Sequence, residues 1–265
     1  MQKKESDKFV ETNVLEGMSS ISALIRTMST DECSNDRRIV RILIDESKRR
    51  SKYREIKFLS SRSNEFGYEL EFVSSDAIES VTSGQTHGGI VAECTARTIP
   101  ILNKTSVYAG CIKKNGVYFM LDGVEDPYNF GYAVRSLYAS GADGIILPPR
   151  NWMSVAGVVA RASAGTSELM NMFVCDHLEA VDIFKSIGYT VICAGIRDSV
   201  SIFETELKKP LLVILGGEKR GISASVLEKA DKIVRIDYGA EFNGSLSMAA
   251  SAAVFGFEIF RMTRK

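Results

Sequence analysis

The sequence lacks the marks of several large protein classes, and each absence narrows the reading. No apolar run is long enough to span a bilayer, and the first eight residues, Met1 to Lys8, are charged where a signal peptide needs an apolar centre. The expected compartment is therefore the cytoplasm. Five cysteines, Cys33, Cys94, Cys111, Cys175 and Cys193, are scattered without a Cys-x-x-Cys pair, which suits a reducing compartment and argues against zinc. With only His87 and His177 present, a histidine-rich metal site is not expected either. The 33 basic residues balance 33 acidic ones, so no overall field drives the chain toward nucleic acid. No strand-like run leads into Gly-x-Gly-x-x-Gly, no phosphate-binding loop ends in Lys-Ser/Thr, and a nucleophile elbow is missing. Internal repeats and low-complexity tracts are absent as well.

What is present is enough apolar material for real cores, 45% of 265 residues, and a change of pattern near the middle. Residues 1–98 read as a small α/β domain. Val14-Leu15-Glu16-Gly17 precedes a helix with Ile21, Leu24, Ile25 and Met28 at helical spacing, and the strand-like Ile39 to Ile44 follows. Next come a basic helix, the Ile56-Lys57-Phe58-Leu59 segment, a further helix, and Tyr68 to Val73 with period-two alternation. A glycine-rich turn, Ser83 to Gly89, opens a strand at Ile90. Charge is unevenly spread here: Arg37, Arg38, Arg41, Lys48, Arg49, Arg50, Lys52, Arg54 and Lys57 face only Asp45, Glu46 and Glu55. That local excess would suit a phosphate backbone or, more plainly, a solvated helix face. Residues 99–115 read as a linker.

Residues 116–265 alternate strands and helices, the pattern of a parallel sheet covered on both faces. Strands are expected at Val117 to Leu121, Gly144 to Leu147, Thr190 to Cys193, Leu211 to Leu215 and Lys232 to Ile236, with helices near 130–140, 155–162, 178–187 and 224–230. A last helix from Leu246 to Met262 begins with small residues, and Ser245 is placed to cap it. Parallel sheets bind ligands beyond the carboxyl ends of their strands. There, Leu211 to Leu215 runs straight into Gly216-Gly217-Glu218-Lys219-Arg220-Gly221, whose glycines leave backbone polar groups open to a ligand or, more plainly, make a tight strand-to-helix turn.

Three stretches at such ends carry a resemblance to the SpoU (TrmH) family of RNA 2′-O-ribose methyltransferases of the SPOUT class. Asn129, Gly131 and Arg135 match an Asn-x-Gly-x-x-x-Arg motif. Gly216, Glu218 and Gly221 match a strand followed by Gly-x-Glu-x-x-Gly. Ile236, Ser245 and Leu246 match the third motif, from which Asp237 departs where the family has Pro, and Ser247 where it has Asn. The N-terminal half is similar to the ribosomal-protein-like RNA-binding domain that often precedes this catalytic domain, at Glu16-Gly17 and at His87 to Ala92. Arg161, Ser163 and Gly165 resemble a family segment near the active site.

The resemblance implies a SPOUT parallel sheet with a C-terminal trefoil knot, a homodimer whose active site is completed across the subunit interface, and S-adenosylmethionine as cofactor. It implies catalytic roles for Arg135, Asn129 and Glu218, and cofactor binding by Leu215, Gly216, Gly217, Ile236, Ser245 and Leu246. Arg37, Arg38, Lys48, Arg49, Arg50 and His87 become the expected RNA contacts, and no metal is required. The substrate expected is structured RNA, ribosomal before transfer RNA, a preference resting on the N-terminal domain. Two other readings compete: a non-catalytic RNA-binding or ribosome-assembly protein on the same fold, and a Rossmann-type enzyme acting on a small molecule.

Overall fold

The computed structural model describes residues 13–30, 35–84, 87–108, 110–149, 156–217 and 221–264. The N-terminal domain holds β1 (Val14–Glu16), α1 (Gly17–Met28), β2 (Ile39–Asp45), α2 (Tyr53–Phe66), β3 (Glu69–Val73), α3 (Ser75–Val81) and β4 (Ile90–Cys94). Its sheet has the order β1-β4-β2-β3, with β4 antiparallel to both neighbours and β2 parallel to β3. Ile21, Leu24 and Ile25 of α1 are buried with Ile42, Ile44 and Leu59, as the helical spacing requires. The segment around Ile56 to Leu59 is part of a single helix, α2, where the sequence suggested separate pieces. Leu59 alone is fully buried there and Gly67, in the left-handed region at φ 72°, ends the helix.

A short helix, α4 (Lys104–Tyr108), lies in the connection to the second domain, and Ile101 bridges to Val174 at the sheet edge. The second domain contains β5 (Val117–Leu121), α5 (Pro127–Ala139), β6 (Gly144–Leu147), α6 (Ala156–Ala162), α7 (Thr166–Leu169), β7 (Met172–Val174), α8 (His177–Ser186), β8 (Thr190–Ala194), β9 (Val200–Ser201), β10 (Leu211–Leu215), α9 (Ala224–Lys229), β11 (Lys232–Arg235) and α10 (Met248–Thr263). Its seven strands are all parallel in the order β7-β6-β5-β10-β8-β11-β9. Central strands β5 and β10 are buried at every residue, which is why their sequences are unbroken apolar runs. Alternate residues feed two cores. Val117, Phe119, Leu121, Val213 and Leu215 pack under α5 and α10, while Tyr118, Met120, Leu212 and Ile214 pack under α8 and α9.

The short α7, β7 and β9 escaped the sequence reading because elements of two to four residues carry no readable period. The capping expectation also changes. Helix α10 begins at Met248, and its cap is Ser247, whose Oγ accepts from Ala250 N at 3.2 Å, and not Ser245. Asp126 caps α5 by accepting from the backbone N–H groups of Tyr128 and Asn129.

The domains meet along α1, α6 and α7. Gly165, at φ +85°, leaves no room for a side chain, because a Cβ would fall 2.6 Å from Ser19 O on α1. Glu168 is only 2% exposed, and its carboxylate accepts from Arg37 Nη1 at 3.2 Å and from Asn35 Nδ2 at 2.9 Å. Arg97 donates across the same boundary to the Ser167 and Met170 carbonyls. No helix among the described residues is long and apolar enough to cross a membrane, and no group of metal-binding side chains occurs among them.

Candidate active site

Strands β5, β10 and β11 deliver three loops to one end of the parallel sheet. After β5, Asp122 stays in register: its N–H donates to Leu215 O at 2.9 Å, and its Oδ1 accepts from His177 Nε2 at 2.7 Å. That hydrogen bond raises the pKa of His177 above its usual value, against the opposing effect of partial burial. The sequence reading weighed His177 only as a possible metal ligand. Its placement at the start of α8 against the first acidic residue of the 122–135 stretch is a tertiary fact.

After β10 the chain turns back on itself, with Gly221 N donating to Gly217 O at 3.0 Å. A Cβ on Gly216 would lie 2.7 Å from the Gly221 carbonyl carbon, and one on Gly217 would lie 2.6 Å from Gly123 O. The immediate demand for glycine here is thus the chain's own backbone: two loops pack against each other too closely for side chains. The sequence reading had left that close approach open to a ligand or to a tight turn.

Ligand space remains beside this loop. A cavity of about 730 Å³ is lined by Leu215, Gly216, Gly217, Ile236, Ser245 and Leu246 together. All six expected cofactor contacts, drawn from two separate motifs, share one wall system. The cavity also takes in Gly195, Ile196, Arg197 and Asp198 beyond β8, and Glu228 of α9. These were missed, although Gly195 directly after an apolar strand is the same signal that drew notice to Gly216. Arg235 and Asp237 brace this rim. Arg235 donates to Asp237 Oδ1 at 2.7 Å and to Ser199 O at 2.6 Å, and the hydrogen bond from Ser201, with Arg235, holds the Asp237 carboxyl below its usual pKa. Asp237, a departure from the family pattern, therefore ties β11 to β9 and the loop before it.

Asn129 sits at a second cleft of about 200 Å³, shared with Asp126, Gly217 and Met248. Its Oδ1 accepts from Ala249 N at 3.0 Å, so α10 receives two caps, one from its own Ser247 and one from α5. Arg135 follows Asn129 by six residues, about 9 Å further along α5 and about 120° around it. It is exposed, and it lines neither cleft. Glu218 lies outside the described residues.

The expected RNA contacts divide. Arg37 is corrected outright: it is 0% exposed and paired with Glu168, so it belongs to the domain junction and cannot reach a ligand in solvent. Arg38 is exposed but stands before β2, where its backbone N–H donates to Thr95 Oγ1. Lys48, Arg49 and Arg50 are exposed beyond the other end of that seven-residue strand, about 23 Å away at strand rise. His87 shares their end, because Ile90 is in register with Ile44. Its Nδ1 accepts from Gly89 N at 3.1 Å. Arg41 is engaged by Glu93 and Glu71, and Lys52 by Glu55, so the apparent basic run is shorter in space than in sequence. Ser163 is buried in local hydrogen bonds, and Gly165 serves the packing of α7 on α1.

Comparison with known proteins adds two family matches. Residues 116–257 match the model of the SpoU rRNA Methylase family, and residues 14–100 match that for RNA 2′-O ribose methyltransferase substrate binding. A protein of Staphylococcus saprophyticus, provisionally named a TrmH family tRNA/rRNA methyltransferase, is 32% identical over 149 residues. That alignment spans 56% of this chain and 59% of the relative, so the chain covers about six-tenths of the length of this relative. Among solved structures, an RNA 2′-O ribose methyltransferase superposes with a TM-score of 0.74 over 98% of this chain and 97% of that one, at 18% identity. An AdoMet-bound rRNA methyltransferase from Sinorhizobium meliloti gives 0.73 over the same shares, also at 18% identity. At that identity the two superpositions show a common fold.

Proposed function

The chain belongs to the SpoU rRNA methylase family, and from that premise we propose that it transfers a methyl group from S-adenosylmethionine to a ribose 2′-hydroxyl of structured RNA, ribosomal RNA before transfer RNA. The observation that carries this reading is the convergence of Leu215, Gly216, Gly217, Ile236, Ser245 and Leu246 on one cavity beside Asn129's cleft. The cavity suits the cofactor. Its 730 Å³ lies within the range of about 300–1,000 Å³ common for small-molecule sites. Leu215, Ile236 and Leu246 offer aliphatic walls to an adenine, backbone at the glycines offers hydrogen bonds, and the lining charges, Asp198 and Glu228 against Arg197 and Arg235, offer both signs to a zwitterionic ligand. When bound, S-adenosylmethionine supplies an electrophilic methyl group on a sulfonium.

This chain's residues would do the rest. The ribose hydroxyl is a weak nucleophile until its developing negative charge is stabilised. Arg135 would hold an RNA phosphate and stabilise that charge as a permanent cation, since a guanidinium is too basic to take the proton readily. Asn129 would keep the start of α10 in place against α5, fixing the far wall between the two clefts. Glu218 would orient one of the polar partners through a charge-assisted hydrogen bond. Because Arg135 is exposed and away from the cavity, the reading includes a homodimer in which the arginine of one protomer serves the cavity of its partner. It also includes the family's trefoil knot in the C-terminal segment.

The test is transfer of labelled methyl from S-adenosylmethionine to unmodified ribosomal RNA transcripts, followed by alkaline hydrolysis. Label in alkali-resistant dinucleotides is expected, because a 2′-O-methyl removes the hydroxyl that alkali uses for cleavage. Arg135→Ala should lose most of this turnover while cofactor affinity stays within a few fold. Absence of label on ribosomal and transfer RNA, together with no cofactor binding by calorimetry, would favour a non-catalytic RNA-binding role.

A further inference from the structure

We propose that the RNA crosses between the domains at a third cavity, where Lys52, His87 and Arg161 seat one of its phosphodiester groups. This rests on the RNA-methylating reading and adds to it a site at the domain junction. The cavity measures about 250 Å³, many times the roughly 15 Å³ that a single water needs. Both domains build it. The first turn of α1, from Gly17 to Ser20, and the Gly88 turn come from one, and Arg161 and Ala164 from the other.

The polar groups around it suit a phosphate. Arg161 is held by Glu16 at 2.7 Å on Nη1 and by the Tyr128 hydroxyl at 3.0 Å on Nη2. Glu16 is itself occupied by Ser83, which donates to it from both its backbone N–H and its Oγ, so its charge is spread over three donors besides any ligand. Because His87 Nδ1 accepts from Gly89 N–H, its neutral ring carries the proton on Nε2, which is left to donate. Lys52 has only a part-exposed pair with Glu55, the kind of contact that contributes little and exchanges readily for a phosphate.

Position strengthens the case. Lys48, Arg49 and Arg50 are exposed at the same end of the N-terminal sheet, and the Gly88–Gly89 turn packs against Lys48 and Lys52. On the other side, Tyr128 links Arg161 directly to the first turn of α5, the helix that carries Asn129 and Arg135. A strand of RNA lying on Lys48 to Arg50 would therefore pass this cavity on its way to α5. Gly84 leaves room for the Arg161 guanidinium, since a Cβ there would lie 1.6 Å from Nη1.

The experiment is filter binding of an unmodified 23S ribosomal RNA transcript between 50 and 200 mM KCl, with no methyl transfer required. The variants are Lys52→Gln, His87→Gln and Ser19→Asp, with the half-exposed Arg62→Gln as a control outside the cavity whose charge change equals that of Lys52→Gln. Ser19 lines the cavity in the first turn of α1, where an acidic residue favours the helix, so its effect cannot be put down to unfolding. Lys52→Gln and Ser19→Asp should each weaken binding about tenfold, and Lys52→Gln should lower the salt slope by about one. His87→Gln should weaken it less, and Arg62→Gln hardly at all. Unchanged affinity and slope in both Lys52→Gln and Ser19→Asp, or an equal fall in Arg62→Gln, would overturn the proposal. Because binding is read directly, such a failure is separable from a failure of the methyl-transfer assay.

Discussion

The domain junction and the sheet-end cavity solve opposite problems with opposite materials. At the junction, charged side chains are matched: Arg37 against Glu168 and Arg97 against two carbonyls, all out of water, and Arg161 against Glu16 at the edge. At the cavity, glycines and aliphatic residues let backbone meet backbone, and the charges at its rim, Arg197, Asp198, Glu228 and Arg235, are not buried. A buried ion pair is costly to leave half-made, whereas a packed loop is costly to widen. The junction should thus fail through charge and the cavity through volume.

The largest effect should come from stripping the junction. Glu168→Ala leaves Arg37 buried without its carboxylate, and urea denaturation should register a loss of about 3–5 kcal/mol. A loss below about 1 kcal/mol would mean that the junction is not held by this pair. Next comes the cavity. Gly217→Ala puts a methyl 2.6 Å from Gly123 O, so a loss of about 1–3 kcal/mol is expected, with weakened S-adenosylmethionine binding by calorimetry. Asn129→Ala removes one of the two caps on α10, which should cost about 1 kcal/mol in thermal or urea unfolding and reduce turnover further than that loss explains. Arg49→Glu with Arg50→Glu should stay within about 0.5 kcal/mol of the parent in stability, since both are exposed, yet weaken RNA retention on filters. Equal RNA binding would reduce them to a solvated face.

The smallest effect separates the two regions by pH. His177 has its pKa raised by donating to Asp122, so its contribution to stability is complete below the ordinary value of 6.5 and fades as pH rises through the folded-state value. The gap in melting temperature between the parent and His177→Gln should accordingly be wider near pH 6 than near pH 8.5. A gap that stayed constant would show that the pair acts without titrating.

The chain itself made much of this legible. Unbroken runs such as Val117 to Leu121 and Leu211 to Leu215 announce strands buried on both faces, and their bounds are those observed. The glycines Gly216 and Gly217 stand out directly after an apolar strand, whereas Ile236, Ser245 and Leu246 came from the resemblance to the family's third motif, which is legible because motifs at strand ends are local in sequence. Long-range partners were not legible. Arg37 and Arg49 look alike within one basic stretch, yet one is 0% exposed and the other lies in solvent. The difference is made by Glu168, 131 residues away.

Composition, period and local spacing therefore determined the class of fold and its parallel sheet, and motif resemblance the residues that gather at the sheet's carboxyl end. Only the tertiary structure decided which charges are matched across the junction, which glycines serve the chain's own packing, and that Asn129 caps a helix 120 residues further on. Strand and helix signals are set by neighbours along the chain. The burial of a charge is set by whatever the fold brings against it, and that partner is invisible until the two domains meet.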